Sequence, residues 1–149
     1  MSTSLFDAPP YDPRRARRKK QIIALVVVLV LVAAALAYIY RNWAEERVVD
    51  KFFAALQRQD YETAYGIWMN DPAWKQHPQK YAQYPFGEFH RDWGPGGEWG
   101  VVRSYKIDGS VNPRGGGSGV IVQVTVNNRA EKARLWVEKK DKTLTFSPY

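Results

Sequence analysis

Hydrophobic spacing along this chain changes twice. From Ile22 to Tyr40, nineteen residues pass without a charge, IIALVVVLVLVAAALAYIY. From Ala44 to Trp93 apolar positions recur every three or four residues, and from Val101 onward they alternate. At about 1.5 Å per residue the first stretch makes a helix of roughly 28 Å, close to the ~30 Å hydrocarbon core of a bilayer. Its three Ile, four Leu and five Val favour insertion by about 4 to 7 kcal/mol in total. In lipid each backbone N–H and C=O must be bonded within the segment, which enforces helix despite the β-branched residues. The pattern predicts a transmembrane helix over 22–40.

Arg14, Arg15, Arg17, Arg18, Lys19 and Lys20 precede this span, whereas Arg41 and Arg47 follow it. The positive-inside bias therefore places the N-terminus in the cytoplasm and exports the rest, to the periplasm in a Gram-negative cell. Arg17, Arg18, Lys19 and Lys20 are expected at one membrane interface and Tyr38, Tyr40 and Trp43 at the other, where amphipathic rings favour the headgroup layer. Ala35-Leu36-Ala37 also has the A-x-A form of a signal cleavage site, and cutting there would release a soluble protein. The long basic approach and the apolar continuation through Tyr38, Ile39 and Tyr40 favour an uncleaved anchor. Residues 1–21 read as a disordered, basic cytoplasmic tail with Pro9, Pro10 and Pro13 in its first part. Pro9-Pro10-Tyr11 has the look of a proline-rich ligand, but a short proline-rich tail is more often simply unfolded.

Residues 41–149 form one domain-sized segment of 109 residues. Val48, Val49, Phe52, Phe53 and Leu56 make one apolar stripe, with Glu45, Glu46, Asp50 and Lys51 on the other positions, so a helix is predicted from about residue 44. No Pro or Gly separates it from the span, which permits a continuous helical stalk. Asp60 can cap a second helix carrying Tyr61, Ala64, Tyr65, Ile67 and Trp68, stopped by Asn70-Asp71-Pro72. Phe86, Phe89 and Trp93 suggest a third helix between Pro85 and Gly94. Strands are expected over Val101–Ile107, Val120–Val126, a segment with Ala133, Leu135 and Val137 on one face, and a last one with Leu144 and Phe146. Asn127-Asn128 suits the positive φ of a tight hairpin. Helices over about 44–93 followed by antiparallel strands over about 101–147 define an α+β domain.

Composition narrows the chemistry. The net charge is +7, but residues 1–21 hold six basic against two acidic residues and the exported segment sixteen against thirteen. Beside a span the basic cluster meets lipid rather than nucleic acid. The chain has no cysteine, which removes disulfides, thiolate nucleophiles and Cys-ligated metals, so stability rests on buried apolar area. The two histidines, His77 and His90, lack ligand spacing, and no metal or other cofactor is expected. Asn112 to Gly119, NPRGGGSG, lacks the Gly-Lys-Ser/Thr end of a phosphate loop and reads as a strand connection with Arg114 at its tip.

Val49-Asp50-Lys51-Phe52-Phe53-Ala54-Ala55-Leu56, then Gln59-Asp60-Tyr61-Glu62-Thr63-Ala64-Tyr65, a third helix and a meandering sheet resemble the nuclear transport factor 2-like superfamily of cystatin-like cone folds. The resemblance is architectural and spans most of residues 44–149. It implies a curved sheet and helices around a conical pocket, used by some members for catalysis and by others to bind ligands or partners. Tyr61, Tyr65, Trp68, Phe89 and Trp93 are the candidate lining for an apolar small molecule or a protein partner, with core packing as the plainer use of the same rings. No acid/base motif of the isomerase branch is present. His90 and Asp92 stand two apart and point to different sides of a helix. The sequence thus favours a membrane-anchored extracytoplasmic binding or assembly domain without catalysis. The alternative is an isomerase- or cyclase-like enzyme using Asp92, His90 or Tyr65 in an aromatic pocket.

Overall fold

The computed structural model describes residues 12–149. Pro9-Pro10-Tyr11 and most of the expected disordered tail lie outside the described residues. The remainder of that tail is helical, which corrects the expected boundary at residue 21: helix α1 runs Pro13–Ile39, with Asp12 accepting from Arg14 N at 2.9 Å. The cause is local. Proline at the first helical position has its φ preset, aspartate caps the free amides, and arginine and lysine are good helix formers. From Ile22 to Ile39 the large apolar side chains of α1 are 49% to 69% exposed, and no residue of the helix is buried. In length and composition this helix suits a membrane span or a signal sequence. It passes through Ala35-Leu36-Ala37 without a break and ends at Ile39, where Tyr40, Arg41 and Asn42 form a turn. The continuous stalk that the sequence permitted is therefore interrupted. The Arg41 guanidinium lies 4.6 Å from the centre of the Tyr38 ring.

The chain divides into two compact units between Arg41 and Asn42. The second holds α2 (Trp43–Gln57), α3 (Tyr61–Trp68), two short 3₁₀ turns (Trp74–Gln76 and Pro78–Tyr81) and α4 (Phe86–Trp93). Strands β1 (Tyr105–Val111), β2 (Gly119–Val126), β3 (Lys132–Glu138) and β4 (Leu144–Phe146) follow. The strands pair antiparallel in the order β1-β2-β3-β4, so this unit is α+β with its helices and strands segregated along the chain. Asp60 caps α3 by accepting from Thr63 N at 3.2 Å. Asn127 and Asn128 adopt φ of 50° and 56° in the β2–β3 turn, the double left-handed geometry of a tight hairpin.

Two further expectations need correction. Val101–Ser104 is not strand. Its amides at Arg103 and Ser104 donate to the Asn127 side-chain oxygen at 2.8 and 3.2 Å, and the Arg103 carbonyl accepts from Gln57 Nε2 at 2.8 Å. Side chains thus take the backbone groups that a ladder would need. The strand starts at Tyr105 and continues to Val111 across a register shift between Ile107 and Gly109, where Gly109 takes a φ of 133° open to glycine.

Glu45 is the second correction. Its place among polar positions suggests exposure, yet it is 4% exposed, and Lys142 Nζ donates to it at 2.6 Å from the β3–β4 turn. Lys142 itself adopts a φ of 58°. Nearby, Ser110 Oγ donates to Glu46 Oε1 at 2.6 Å and the Asn42 amide donates to Ser110 Oγ at 3.1 Å. Farther along α2, the Tyr105 hydroxyl donates to Asp50 Oδ1 at 2.9 Å. Helix α2 therefore lies antiparallel to β1 and turns its start toward the β1–β2 loop. Replacing Lys142 by Met strands the Glu45 charge. Because the lysine head is one-third exposed, the expected loss is about 1–2 kcal/mol, less than for a fully buried pair. Chemical denaturation should register it, and Glu45→Gln in the same background should recover part.

The core lies between α2–α4 and one sheet face. Val122, Val124, Val126, Ala133, Leu135, Val137 and Leu144, all at most 2% exposed, meet Val49, Phe52, Phe53 and Leu56. Alternation along β3 sends Ala133, Leu135 and Val137 inward and leaves Lys132, Arg134 and Trp136 on the other face.

Candidate functional site

The candidate rings are brought together, chiefly as packing. Tyr65, Trp68, Phe89 and Trp93 are each at most 2% exposed. The Trp68 ring centre is 5.3 Å from Phe52, 5.9 Å from Phe89 and 5.6 Å from Trp93, and Tyr65 is 5.2 Å from Phe89. Their helical spacing produces this. Tyr65 and Trp68 are three apart on α3, Phe89 and Trp93 four apart on α4, and each pair faces the seam between the helices. Tyr61 stands at the border, half-buried, with its ring edge-on to His90 at 4.9 Å.

Grooves open where this cluster reaches the last strand. Phe146, half exposed, lies parallel to Trp93 at 5.8 Å and packs on Trp68 at 5.1 Å. On one side of it an apolar groove of about 360 Å³ is walled by Trp68, Met69, Tyr84, Leu144 and Phe146. On the other side a more polar groove of about 540 Å³ is walled by Trp93, Glu98, Trp99, Lys132, Arg134 and Phe146. Of the five sequence candidates, Trp68 and Trp93 thus form groove walls here. Phe146 was missed as a lining residue because sequence alternation alone placed it on the strand without saying which rings it would meet.

The polar groups of the cluster form a chain. The Tyr65 hydroxyl donates to the Tyr84 carbonyl at 2.7 Å, and the Tyr84 hydroxyl donates to Asp92 Oδ2 at 3.0 Å. Burial first, then this bond to a carboxylate, pushes Tyr84 far above the ordinary tyrosine range. The same two causes, with Asp50 as acceptor, push Tyr105 up to about 12. A tyrosine near 10 in the unfolded chain and higher in the fold stabilises the fold fully below pH 10, and that contribution is lost as pH rises through the folded value. Thermal stability should therefore fall between about pH 10 and 12, and Tyr105→Phe should flatten the fall in melts followed by circular dichroism.

Asp92 is bonded by Tyr84 and approached by Arg91 Nε at 3.7 Å, while the His90 side chain is exposed on another side of α4. The two do not form an acid/base pair. His77 Nε2 lies 3.3 Å from Asp71, which also accepts from the Tyr81 hydroxyl at 2.5 Å. Among the described residues no three His, Cys, Asp or Glu side chains gather as a metal site would require. The Tyr61 hydroxyl and the Trp93 indole N–H are buried without a hydrogen-bond partner among the described residues.

The loop after α4 is tied by side-chain hydrogen bonds to the β2–β3 turn. Asn127 Nδ2 donates to the Val101 carbonyl at 2.9 Å and Arg129 Nη1 to the Glu98 carbonyl at 2.8 Å. A Cβ on Gly97 would stand 2.0 Å from the Asp92 carbonyl oxygen, so the chain can turn back on α4 only with glycine there.

At the anticipated membrane interfaces, Arg17, Arg18, Lys19 and Lys20 are exposed along α1. Tyr38, Tyr40 and Trp43 are 67%, 60% and 55% exposed. Comparisons with protein-family models, curated proteins and solved structures return no match for this chain.

Proposed function

We propose that this chain is a single-pass membrane protein with a cytoplasmic basic N-terminus and an exported, cone-like α+β domain that serves as a non-catalytic binding or assembly module. The observation that carries the reading is the exposure of α1: among the described residues its large apolar side chains from Ile22 to Ile39 are about half exposed or more. Such a surface is stable only when lipid or another apolar partner solvates it. The exported domain's part is supported by the use of its aromatic rings. Tyr65, Trp68, Phe89 and Trp93 pack on one another, and the edge of this cluster opens into a pair of grooves flanking the half-exposed Phe146. A shallow aromatic ridge of that kind suits a protein partner or an apolar ligand better than an enclosed reaction chamber.

Mild detergent extraction followed by purification of the full chain tests this. Retrieval of a stoichiometric partner that is lost on Phe146→Ser supports the module. Recovery of the chain alone under a range of detergents overturns it, and turnover of a small apolar substrate by that lone chain moves the assignment to the isomerase- or cyclase-like alternative.

A further inference from the structure

One end of the exported domain gathers exposed basic side chains and the exposed ring of Trp43, over which the Arg47 guanidinium lies at 5.7 Å. The β1–β2 loop and the β3–β4 turn share that end: Lys139 N donates to the Ser118 carbonyl at 3.0 Å, and Ser118 Oγ donates to Glu138 Oε2 at 2.7 Å. The start of α2 joins them through Asn42 bonded to Ser110 and Glu45 bonded to Lys142. The opposite end carries the β2–β3 turn at Asn127 and Asn128, bonded to residues 99–104.

The acids at the first end are occupied internally. Glu45 is held by Lys142, Glu46 by Ser110, Glu138 by Ser118, and Asp141 caps Thr143 N at 3.0 Å. The cations differ. Arg114 at the tip of the glycine loop, Lys139 and Lys140 are exposed and form no ion pair among the described residues. Trp43 is 55% exposed on the first turn of α2. Positions 115 and 116, at φ of 86° and 85°, let the loop turn back and present Arg114 outward.

Covalent continuity then decides what this end meets. Tyr40 and Arg41 alone separate the apolar helix from Asn42, the first residue of the folded unit. Three Cα–Cα steps reach at most about 11 Å, little more than the roughly 5–8 Å of headgroup on each side of the hydrocarbon core. We propose that Trp43, Arg114, Lys139 and Lys140 form a lipid-contacting surface that holds this end of the domain on anionic phospholipid headgroups of the leaflet where the span ends. Tryptophan suits the interface and the three cations suit anionic headgroups, whose attraction fades within a Debye length of about 8 Å.

This inference rests on the single-pass reading, and the test keeps the two apart. Because the chain has no cysteine, Leu29→Cys, Arg114→Cys and Asn128→Cys each give the full-length protein a single labelling site. Labelled with a fluorophore and reconstituted into vesicles containing phosphatidylglycerol, they report quenching by nitroxides on acyl chains or on headgroups. The expected result is acyl-chain quenching at position 29 and headgroup quenching at 114 roughly threefold above that at 128. Zwitterionic vesicles, or Lys139→Glu with Lys140→Glu, should reduce the signal at 114. Quenching at 29 with equal quenching at 114 and 128 overturns the surface and leaves the anchor intact. A signal at 114 that is indifferent to lipid charge and to the two reversals also overturns it. Absence of quenching at 29 overturns the anchor itself.

Discussion

Phe52→Ala should destabilise the domain by about 3–5 kcal/mol, the largest loss expected from any single truncation in it. Phe52 is 0% exposed, and its ring is surrounded by those of Phe53 at 5.3 Å, Trp68 at 5.3 Å, Phe89 at 6.1 Å and Trp93 at 5.0 Å. Three of these contacts are edge-to-face, the arrangement that ring quadrupoles favour beyond their buried area. Removing the ring deletes both terms and opens a cavity. Its walls are rigid planes on three different helices, so they have little freedom to collapse into the space, and the cost belongs at the high end of the range. For a domain near this size a loss of that order lowers the melting temperature by roughly 12 °C or more. Thermal unfolding of the detergent-solubilised chain, followed by near-ultraviolet circular dichroism, measures it. Trp43→Ala, at a 55% exposed position, is the control and should change stability by less than about 0.5 kcal/mol. A Phe52→Ala loss near that of the control would mean that the ring cluster is not the centre of the core.

The same cluster shows where sequence reasoning stops. Periodicity of three and four located α2, α3 and α4 because each helix has a single apolar stripe. Asp60 and Asn127-Asn128 marked a cap and a turn because those roles depend on local backbone geometry. Nothing local determined which rings would be used up in the core. Trp68 and Trp93 have the same buried character as Tyr65 and Phe89, and they differ only because β4 brings Phe146 alongside them. Glu45 illustrates the converse: a residue at a polar helical position became buried because Lys142, ninety-seven positions later, reaches it. Val101–Ser104 alternates as a strand does, yet the Asn127 side chain supplies its hydrogen bonds in place of a neighbouring strand. In each case the deciding contact is long-range, and short-range patterns carry no record of it. The start of α1 at Pro13 is the exception, since Asp12-Pro13 was a readable local signal overshadowed by the proline content just before it.

Charge placed in the middle of α1 should have the other large effect, on where the protein resides. On the single-pass reading proposed above, the apolar residues of α1 favour insertion by about 4–7 kcal/mol, and one arginine at the centre of a helix costs about 2.5–3.5 kcal/mol on the same scale. Val30→Arg should therefore weaken insertion without abolishing it, leaving most of the chain resistant to carbonate extraction. Val28→Arg combined with Val32→Arg costs about 5–7 kcal/mol and removes the preference, so most of the chain should leave the membrane fraction or aggregate. The two positions are one helical turn apart on the same face, 54% and 51% exposed, where like charges repel each other, so the double cost should be no less than about twice the single one. The steepness between the single and double variants is the informative quantity. A signal peptide removed after Ala37 would leave both substitutions outside the mature protein, and the mature product, wherever it formed, would extract into carbonate as readily as the unmodified one. A retained span predicts instead that the unmodified chain and Val30→Arg stay with the membrane at full length and that the double variant parts from them.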